Sequence, residues 1–392
     1  MIPISPPAGV RRRDCEYDSR PVFAGPTAPA LRTQQDLSAD STTWPSALGY
    51  RMPAEWEPHE ATWLSWPHNR DSWPGVFEGV EPAMTAFVAA LAECEPVRIN
   101  VLDEAHERHV RELLADAAPA ERLRFHRFPT NDAWCRDHGA IFVTRRSAAA
   151  PRLALDFDFN AWGGKYPPFD LDREVGRQMA DALGVPRFAQ HGIVLEGGSI
   201  EVNGAGALLT TEQCLLNSNR NPRLGRADIE RVLEDAFGVT EIVWLGLGIE
   251  GDDTDGHIDD LTRFFAPGAV LTVMEPNRRD KNHEPLEANR RRLAELTVGG
   301  RALEVVELPM PEPQYLGDQR LPASYANFYV ANGAVLVPVF GCPQDDGACA
   351  TIGDCFPGRR VLPIDCRVLV AGLGTLHCLS QQVPAVPSAA TR

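Results

Sequence analysis

Short apolar runs alternate with helical patterns along the chain from about Gly49 onward. The strand-like "VRINVLD" precedes the helical "EAHERHVRELLADAA", and the strand-like runs "RLRFHRF" and "AIFVTRR" follow it. The alternation returns in "EIVWLGL", "LTRFFAPGAVLTVM", the helical "EPLEANRRRLAELT", "ALEVVELPM" and "ANFYVANGAVLVPVF". This pattern predicts an α/β fold.

Two Asn-Gly pairs lie between apolar runs, at Asn203-Gly204 and Asn332-Gly333. Such pairs predict tight hairpin turns, because both residue types tolerate a positive φ. Helices then alternate with strand pairs, some of them antiparallel. That arrangement differs from the strict strand–helix alternation of a doubly wound parallel sheet.

The chain is not uniform in composition from end to end. Residues 1–48 are rich in Pro, Ser, Thr and Arg without hydrophobic periodicity, which predicts a disordered or loosely attached tail. We assign residues 49–385 to one folded domain and residues 386–392 to a short C-terminal tail.

The overall charge limits the classes of partner. A formal net charge of -16 disfavours nucleic acid or an anionic membrane as a partner and favours a neutral or cationic small ligand. No run of about 18 apolar residues is present, and no apolar signal core follows Arg11–Arg13. Nine scattered cysteines fit reduced thiols. We therefore expect a cytoplasmic protein, and a homo-oligomer is left open.

Two cofactor patterns are weak. "GLGIEG" at residues 246–251 has the glycine spacing of a dinucleotide loop, but the acidic, turn-like "DDTDGH" follows where a helix should begin. Cys342, Cys349 and Cys355 lack the paired C-x-x-C spacing of structural zinc. We expect neither a dinucleotide nor a metal.

Four polar motifs are not needed for a core. They are "NDAWCRDHG" with Asp137, "LEGGSIEV" with Glu196, "DDTDGHIDD" with His257 and Asp259, and "LHCLSQQ" with Cys378. Each one alone could serve a turn or a cap. Together they supply a thiol nucleophile, a titratable base and three carboxylates.

The excess of carboxylates decides between two kinds of thiol chemistry. Acyl transfer by a thiol amidase needs hydrogen-bond donors for an oxyanion, whereas these motifs surround the histidine with acids. Carboxylates match a planar guanidinium through paired hydrogen bonds. Such a cation also lowers the pKa of a nearby thiol. The residues therefore favour nucleophilic attack on a guanidinium carbon.

These motifs also resemble a known family. "MPAEWEPHEATWLSWP", "NDAWCRDHG", "DFNAWGGK", "LEGGSIEVNGAGALLTTEQCLLNSNRNP", "GHIDD", "ASYANFYVANGAVLVPVFG" and "LHCLSQQ" resemble the agmatine deiminases, which belong with bacterial peptidylarginine deiminases to the guanidine-modifying (pentein) superfamily. The resemblance runs from about Gly49 to Pro384. It implies a five-bladed α/β propeller of ββαβ-type units with the site at its centre, hydrolysis of a small cationic guanidine to a ureido product and ammonia, and no metal or organic cofactor.

The resemblance also implies roles for individual residues. Cys378 would be the nucleophile and His257 the general acid and base. Asp137 and Asp259 would bind the two sides of the guanidinium, and Glu196 would orient His257 and favour its protonated form. The aromatic walls of the cleft would be Trp134 and Trp162.

The sequence departs from the family pattern near the substrate tail. "GDDTDGH" stands where the family has Glu-Thr-Asn-Gly-His, so Asp253 occupies the position of the family's Glu and is our candidate for contacting an ammonium at the end of the tail. "GLGTLHC" stands where the family has Gly-Gly-Gly-Asn-Ile-His-Cys. Arg220 and Arg223 could instead receive a substrate carboxylate if their loop covers the cleft. Peptidyl-arginine, another arginine-derived guanidine, an amidinotransferase reaction and simple guanidinium binding stay open at this point.

Overall fold

The structure, a computed structural model, describes residues 43–146 and 149–386. Most of the predicted N-terminal tail and nearly all of the predicted C-terminal tail lie outside these residues. The last part of the first tail is described, as a single 3-10 turn at Pro45–Leu48, and the ring of Trp44 packs 5.2 Å from that of Phe188. The domain boundary at Gly49 stays a prediction.

Twenty strands are present among the described residues. In chain order they are β1 (His59–Ser65), β2 (Val97–Val101), β3 (Leu123–Arg127), β4 (Ile141–Thr144), β5 (Arg152–Asp158), β6 (Arg187–Val194), β7 (Glu201–Val202), β8 (Ala207–Thr211), β9 (Glu241–Leu245), β10 (Thr262–Ala266), β11 (Ala269–Met274), β12 (Thr297–Val298), β13 (Arg301–Ala302), β14 (Glu304–Pro309), β15 (Tyr315–Leu316), β16 (Gln319–Arg320), β17 (Tyr329–Ala331), β18 (Ala334–Val339), β19 (Arg360–Asp365) and β20 (Ser380–Pro384).

Ten α-helical segments accompany these strands in the described part of the chain. They are α1 (Val80–Cys94), α2 (Glu104–Leu114), α3 (Cys135–His138), α4 (Ala161–Gly164), α5 (Val175–Leu183), α6 (Glu212–Leu215), α7 (Arg226–Phe237), α8 (His283–Ala294), α9 (Asp345–Cys355) and α10 (Leu376–Leu379). Four of them, α3, α4, α6 and α10, are single turns of four residues. The α/β class predicted from the sequence is confirmed.

Five of the sheets share one strand pattern. Each contains an antiparallel strand pair whose second strand has a parallel neighbour: β4-β5-β6, β7-β8-β9, β10-β11-β14, β17-β18-β19, and β20-β1-β2, which β3 extends. In every unit a longer helix, α1, α5, α7, α8 or α9, lies between the two parallel strands. Parallel neighbours need such a crossover, because no tight turn can join them.

A short helical turn precedes the first strand of every unit. These turns are α3, Gly197–Ser199, Ile258–Asp260, Tyr325–Asn327 and α10. Each turn contacts the next one in chain order, and α10 contacts α3 as well as Tyr325–Asn327. The five turns therefore close into a ring, which brings residues from the whole length of the chain together.

Several local predictions are confirmed. Asn203-Gly204 lies between the antiparallel strands β7 and β8, and Asn332-Gly333 joins β17 to β18, with φ of 66° and 78° at the two glycines. Helix α2 begins after Asp103, whose carboxylate accepts a hydrogen bond from the His106 N–H. No helix follows "GLGIEG", which disagrees with a dinucleotide loop.

The apolar core lies between the sheets and their crossover helices. Ile99, Val243, Leu271 and Leu336, from β2, β9, β11 and β18, belong to one continuous buried cluster. None of the helices formed by residues 43–146 and 149–386 is long and apolar enough to cross a membrane.

Candidate active site

The ring of five turns brings four of the predicted acid and base residues to the predicted nucleophile. Asp137 comes from α3, His257 and Asp259 from the turn at Ile258–Asp260 and the residue before it, and Glu196 from the residue before Gly197–Ser199. Cys378 comes from α10. Single turns at the entrance of a strand can present a side chain without burying it under a long helix.

The Cys378 thiol lies among acids and one amide. Its Sγ is 3.7 Å from Asp259 Oδ2, and the Asn327 side-chain amide donates to Sγ at 3.0 Å. Burial raises the pKa of this thiol well above its ordinary value, and the carboxylates of Asp259, Asp260 and Asp137 raise it further. The neutral thiol is therefore favoured in the empty site.

Asp137 lies at the base of the cleft with two neutral donors. One carboxylate oxygen accepts from the Gly198 N–H at 3.0 Å, and the other accepts from Trp162 Nε1 at 3.0 Å. Burial raises the pKa of Asp137 to about 6, against the opposing influence of His257. Both hydrogen bonds orient the carboxylate without neutralising it.

Asp259 is held by a histidine that the sequence analysis did not assign. His377 Nδ1 lies 2.7 Å from Asp259 Oδ2, whereas Asp259 Oδ1 has no hydrogen-bond partner among the described residues. Burial tends to raise the pKa of Asp259, but the hydrogen bond and charge of His377 outweigh it, so the pKa lies below its ordinary value. One oxygen is thus left for a ligand.

His257 lies between the two aspartates. Its Nδ1 is 3.8 Å from Asp137 Oδ1 and 4.0 Å from Asp259 Oδ1. Burial lowers the pKa of the imidazole, but Asp137, the Cys214 thiol and Asp259 together raise it well above its ordinary value. Neither ring nitrogen has a hydrogen-bond partner within the described part of the chain.

Glu196 is bound to an arginine and lies near His257. Arg220 Nε donates to Glu196 Oε1 at 2.6 Å, while Oε2 finds no partner in residues 43–146 and 149–386. Polar atoms of Glu196, His257 and Cys214 all lie within 4.8 Å of one another. The structure therefore brings Glu196 beside His257 but gives the pair no direct hydrogen bond.

A cleft of about 240 Å³ leads from the surface to Cys378. Trp134 and Trp162 both line it, together with Asp137 and Asp253. The indole of Trp134 stacks on Trp73 at a centroid distance of 5.3 Å, which fixes its orientation. Five of the side chains that the sequence analysis expected at the substrate line this cleft, namely Trp134, Asp137, Trp162, Asp253 and Cys378, whereas Asp259 and His257 are buried behind it.

Comparisons with known proteins agree on the relationship. Residues 51–384 match the sequence profile of the Porphyromonas-type peptidyl-arginine deiminase family. The chain is 37% identical to the agmatine deiminase of Ectopseudomonas mendocina, over 88% of this chain and 98% of that protein, and 37% identical to that of Medicago truncatula, over 87% and 98%. The chain belongs to the Porphyromonas-type peptidyl-arginine deiminase family.

Solved structures of relatives share the fold of this family member. The agmatine deiminase of Enterococcus faecalis superposes with a TM-score of 0.83 at 31% identity, covering 88% of this chain and 98% of that one. A substrate-bound agmatine deiminase of C. jejuni gives a TM-score of 0.78 at 32% identity, covering 86% and 97%. The α/β fold of these deiminases is therefore also the fold of this chain.

The first departure of this deiminase-family chain from the family pattern is Asp253, in the loop before His257. Asp253 lines the cleft, but its carboxylate accepts from the Tyr166 hydroxyl and lies 3.3 Å from Lys165 Nζ. Asp132 also lines the cleft, and its partners are neutral: the Ser72 hydroxyl at 2.5 Å and the Ala133 N–H at 2.8 Å. The charge of Asp253 is partly compensated by Lys165, whereas Asp132 has only neutral donors and burial raises its pKa.

The second departure places a leucine where the family pattern has glycine. Leu373 lines the cleft with φ of 71°, a left-handed conformation that a non-glycine residue adopts at a cost of order 1 kcal/mol. Its side chain adds apolar surface to the lining of the cleft. This strained residue lies where the tail of a substrate would pass.

Arg220 has a different role from the one considered in the sequence analysis. Its buried guanidinium is occupied by Glu196, by Asp255 Oδ2 at 2.5 Å and by the Thr254 carbonyl at 2.7 Å. The interpretation of Arg220 as a receptor for a substrate carboxylate is therefore wrong. Arg223 is exposed and does not line the cleft.

Two further residues contact the nucleophile segment but were not singled out from the sequence. Asn327 contacts the Cys378 thiol, and its Oδ1 accepts from the Thr375 hydroxyl at 2.8 Å. His377 stands next to Cys378 in the chain and bonds Asp259. Their presence within the family-like stretches "ASYANFYV" and "LHCLSQQ" was the available signal.

Two groups of side chains have the donor types of metal ligands. They are Glu196, Cys214 and His257, and Asp259, Asp260 and Cys378, each group with its polar atoms within 4.8 Å. Both overlap the site of the predicted deiminase chemistry, which uses the same atoms for other purposes. That no cofactor is needed stays a prediction.

Proposed function

We propose that the protein hydrolyses agmatine to N-carbamoylputrescine and ammonia through a covalent intermediate on Cys378. The observation that carries the proposal is the position of the Cys378 thiol at a cleft, beside the buried carboxylates of Asp137 and Asp259. His257 belongs to the same ring of turns and lies near both carboxylates. Names of relatives support the substrate: the chain is more than 30% identical to several agmatine deiminases over most of its length.

The charge of the site favours a guanidinium. Asp137 lines the cleft together with Cys378, Asp259 Oδ2 lies 3.7 Å from the Cys378 sulfur, and the Asp259 Oδ1 atom has no partner among the described residues. A guanidinium offers N–H groups in one plane to both carboxylates, which an ammonium does not. We assign Asp137 and Asp259 to the two sides of this group.

Substrate binding itself would activate the nucleophile. Burial and three carboxylates raise the pKa of Cys378 in the empty site. A bound guanidinium places a positive charge beside the sulfur and offsets those carboxylates, which lowers the thiol pKa. The thiol would then release its proton to water and form the thiolate only when a cationic substrate is present.

The reaction divides into two halves. The Cys378 thiolate attacks the guanidinium carbon and forms a C–S bond, one C–N bond breaks, and protonated His257 gives its proton to the departing ammonia. A covalent amidino-thioether remains. Neutral His257 then takes a proton from water as the water oxygen attacks the same carbon, the C–S bond breaks, and the ureido product leaves. The raised pKa of His257 supports its role as the initial acid.

Glu196 is assigned to the environment of His257. Its carboxylate is close to the imidazole and is itself fixed by Arg220. A fixed negative charge near the ring favours the protonated form electrostatically. We therefore retain the predicted role of favouring the imidazolium, without a direct hydrogen bond.

The tail of the substrate would lie between the two tryptophans and reach an acidic mouth. Trp134, Trp162 and Leu373 provide apolar walls for a methylene chain, and Asp132 and Asp253 line the outer part of the cleft. A terminal ammonium is attracted there and an α-carboxylate is repelled, by about 1–4 kcal/mol for unit charges a few ångströms apart. Because Lys165 compensates Asp253, we expect selectivity for agmatine over arginine of about tenfold, at the lower end of that range.

The five matching sheet units support a propeller architecture. We assign one blade to each unit and the ring of five turns to the central axis, with the cleft opening at one end of that axis. The predicted cytoplasmic location, the absence of nucleic-acid and membrane partners, and any homo-oligomer remain predictions about this enzyme.

The deciding experiment is a substrate panel. Agmatine, arginine, a blocked arginyl peptide and butylguanidine, which lacks the terminal amine, are incubated with the protein, and ureido product and ammonia are both measured. We expect the highest kcat/KM for agmatine. Ureido product with equimolar ammonia identifies hydrolysis, whereas transfer to an added amine without ureido product would identify an amidinotransferase and contradict the proposal.

Two variants separate the candidates for the tail contact. Asp132→Asn and Asp253→Asn are compared by the ratio of kcat/KM for agmatine to that for butylguanidine. The residue that contacts the ammonium reduces this ratio when it is replaced, while butylguanidine turnover stays constant. A preference for the blocked arginyl peptide over agmatine would overturn the assignment of the substrate.

A further inference from the structure

His377 makes a pair of hydrogen bonds that is unusual for a buried histidine. Its Nδ1 lies 2.7 Å from Asp259 Oδ2, and its Nε2 lies 2.8 Å from Glu55 Oε2. The imidazole is almost completely buried. An ionised carboxylate accepts hydrogen bonds and cannot donate them, so both ring nitrogens must donate. That is possible only for an imidazolium.

The charges around this histidine support the same protonation state. Three buried carboxylates surround the ring, those of Asp259, Glu55 and Glu201, while Arg136 and Arg263 supply two guanidinium groups. Arg263 lies 3.0 Å from Glu55 and 2.9 Å from Glu201. A positively charged His377 makes this buried set neutral, which greatly reduces its desolvation cost.

The three aspartates nearest Cys378 do not titrate alike. Burial raises the pKa of Asp137 to about 6 and that of Asp260 well above its ordinary value. Burial acts in the same direction on Asp259, yet its pKa is lowered, and His377 is the largest opposing influence. The difference in the direction of the pKa shift matches the difference in hydrogen-bond donors. Asp259 is bonded by His377, whereas Asp137 and Asp260 have only neutral side chains or N–H groups as donors.

We propose that His377 is a positioning residue that keeps Asp259 ionised and turns its free oxygen, Oδ1, toward the guanidinium. The hydrogen bond from Nδ1 occupies Oδ2, and the Glu55 carboxylate on the far side holds the second proton on the ring. This inference rests on the proposed deiminase function, because it assigns a partner to a residue of that site. His377 itself does not contact the substrate.

The test compares two substitutions of His377 with a control. His377→Asn keeps a donor for Asp259 but removes the charge, and His377→Phe removes both. His126→Asn is the control, since His126 is a half-buried histidine on β3 that stacks on Trp63 and lies outside the cleft. For each protein, kcat/KM for agmatine is measured from pH 5 to pH 9 and normalised to the value at pH 8.

The expected result is a change in the acidic limb. In the wild type the Asp137 carboxyl, with its pKa of about 6, adds one unit to the slope of log kcat/KM at acidic pH, beside the contribution of the Cys378 thiol. Loss of a neighbouring cation raises a carboxyl pKa by about 1–3 units, so Asp259 then titrates in the same range. In His377→Asn the slope of log kcat/KM below pH 6 should exceed that of the wild type by up to one unit, and the normalised activity at pH 5 should fall at least tenfold below that of the wild type.

A merely structural role predicts something different. It lowers kcat/KM equally at all pH values and leaves the slope unchanged, and that outcome would overturn the inference. His377→Phe should lose activity at every pH, because Asp259 is then neither charged nor oriented. His126→Asn should reproduce the wild-type profile.

Two additions keep the result decisive. If His377→Asn does not fold, Glu55→Gln leaves the bond to Asp259 intact but removes the negative charge that holds the second proton on the ring, and the same change of slope is expected. If the wild type turns over no guanidine, the proposed function fails separately, and the rate at which chloroacetamidine alkylates Cys378 then serves as the pH readout. An unchanged labelling profile in His377→Asn would still contradict the role of His377.

Discussion

Replacing Asp137 with asparagine tests activity and stability at the same time. The Asp137→Asn variant keeps the size of the side chain but removes the negative charge that we assign to one side of the guanidinium. Losing one partner of a buried charged pair costs about 3–5 kcal/mol. At about 1.4 kcal/mol for each factor of ten, kcat/KM for agmatine should fall roughly a hundred- to several-thousand-fold.

The stability of the wild type should change with pH in a defined direction. Burial raises the pKa of Asp137 from 3.8 to about 6, so the folded protein binds this proton more tightly than the unfolded chain does. The ionised carboxylate therefore costs stability above pH 6, and that cost is relieved as the pH falls from 6 toward 4. For these two pKa values, lowering the pH from 7.5 to 5.0 stabilises the wild type by about 1 kcal/mol through this group alone.

The side-chain amide of the Asp137→Asn variant cannot titrate, so the comparison reports the Asp137 carboxyl together with its effect on the pKa of His257, which acts in the same direction. Urea unfolding of wild type and variant is measured at pH 7.5 and 5.0, and the difference in unfolding free energy between the two proteins is compared at the two pH values. Any fixed cost of exchanging an acceptor for a donor opposite Gly198 or Trp162 cancels in that comparison. We expect the wild type to gain at least about 1 kcal/mol relative to the variant when the pH is lowered from 7.5 to 5.0.

Two results would refute this reasoning. Near-normal kcat/KM in Asp137→Asn would remove Asp137 from the guanidinium site, and a stability difference independent of pH would show that its carboxyl is not perturbed as described. Asp156→Asn is the control for activity, because Asp156 is a buried carboxylate on β5 that pairs with Arg187 at 2.6 Å and does not line the cleft. Its kcat/KM should stay close to that of the wild type.

Two other predictions concern the nucleophile and a glycine of the ring of turns. Cationic chloroacetamidine should alkylate Cys378 at least tenfold faster than neutral chloroacetamide, because its charge offsets the carboxylates that raise the thiol pKa. Peptide mapping should find Cys135 unmodified, since burial raises the pKa of that thiol to about 12. Labelling of Cys135 instead would exclude Cys378 as the reactive thiol. The Gly198→Ala variant should fold but lose most of its turnover, because a Cβ there would lie 2.5 Å from His257 Nδ1 and 2.9 Å from Asp137 Oδ1. Normal kinetics with an unchanged thermal midpoint would contradict the close packing of these groups.

Local features of the fold were predictable because their causes are local. The Asn-Gly pairs predict their turns through the backbone freedom of two adjacent residues, and α2 follows from its periodic apolar positions and the cap at Asp103. The grouping of strands into matching units depends on pairings between distant segments. Strand β20 pairs with β1, and no pattern in either strand specifies the other.

The site was predictable as a set of residue types but not as an arrangement. A thiol, a histidine and several acids indicate guanidine chemistry because each has a distinct task, and the resemblance of the motifs supplied their positions. The neighbours that adjust those residues depend on tertiary contacts alone: Lys165 compensates Asp253, Arg220 occupies Glu196, and His377 reaches Asp259. Sequence spacing carries no information on such pairs.

The ring of five turns has a consequence for how activity arises during folding. Cys378 reaches Asp137 and Asp259 only through α10, and β20, which follows it directly, pairs with β1 from the other end of the domain. Pairings between such distant segments form late, because the entropy of closing a long loop must be overcome first. Partly folded chains would therefore hold the acids and the thiol apart, and the recovery of turnover during refolding would report the closure of the whole ring of turns rather than the formation of any one sheet.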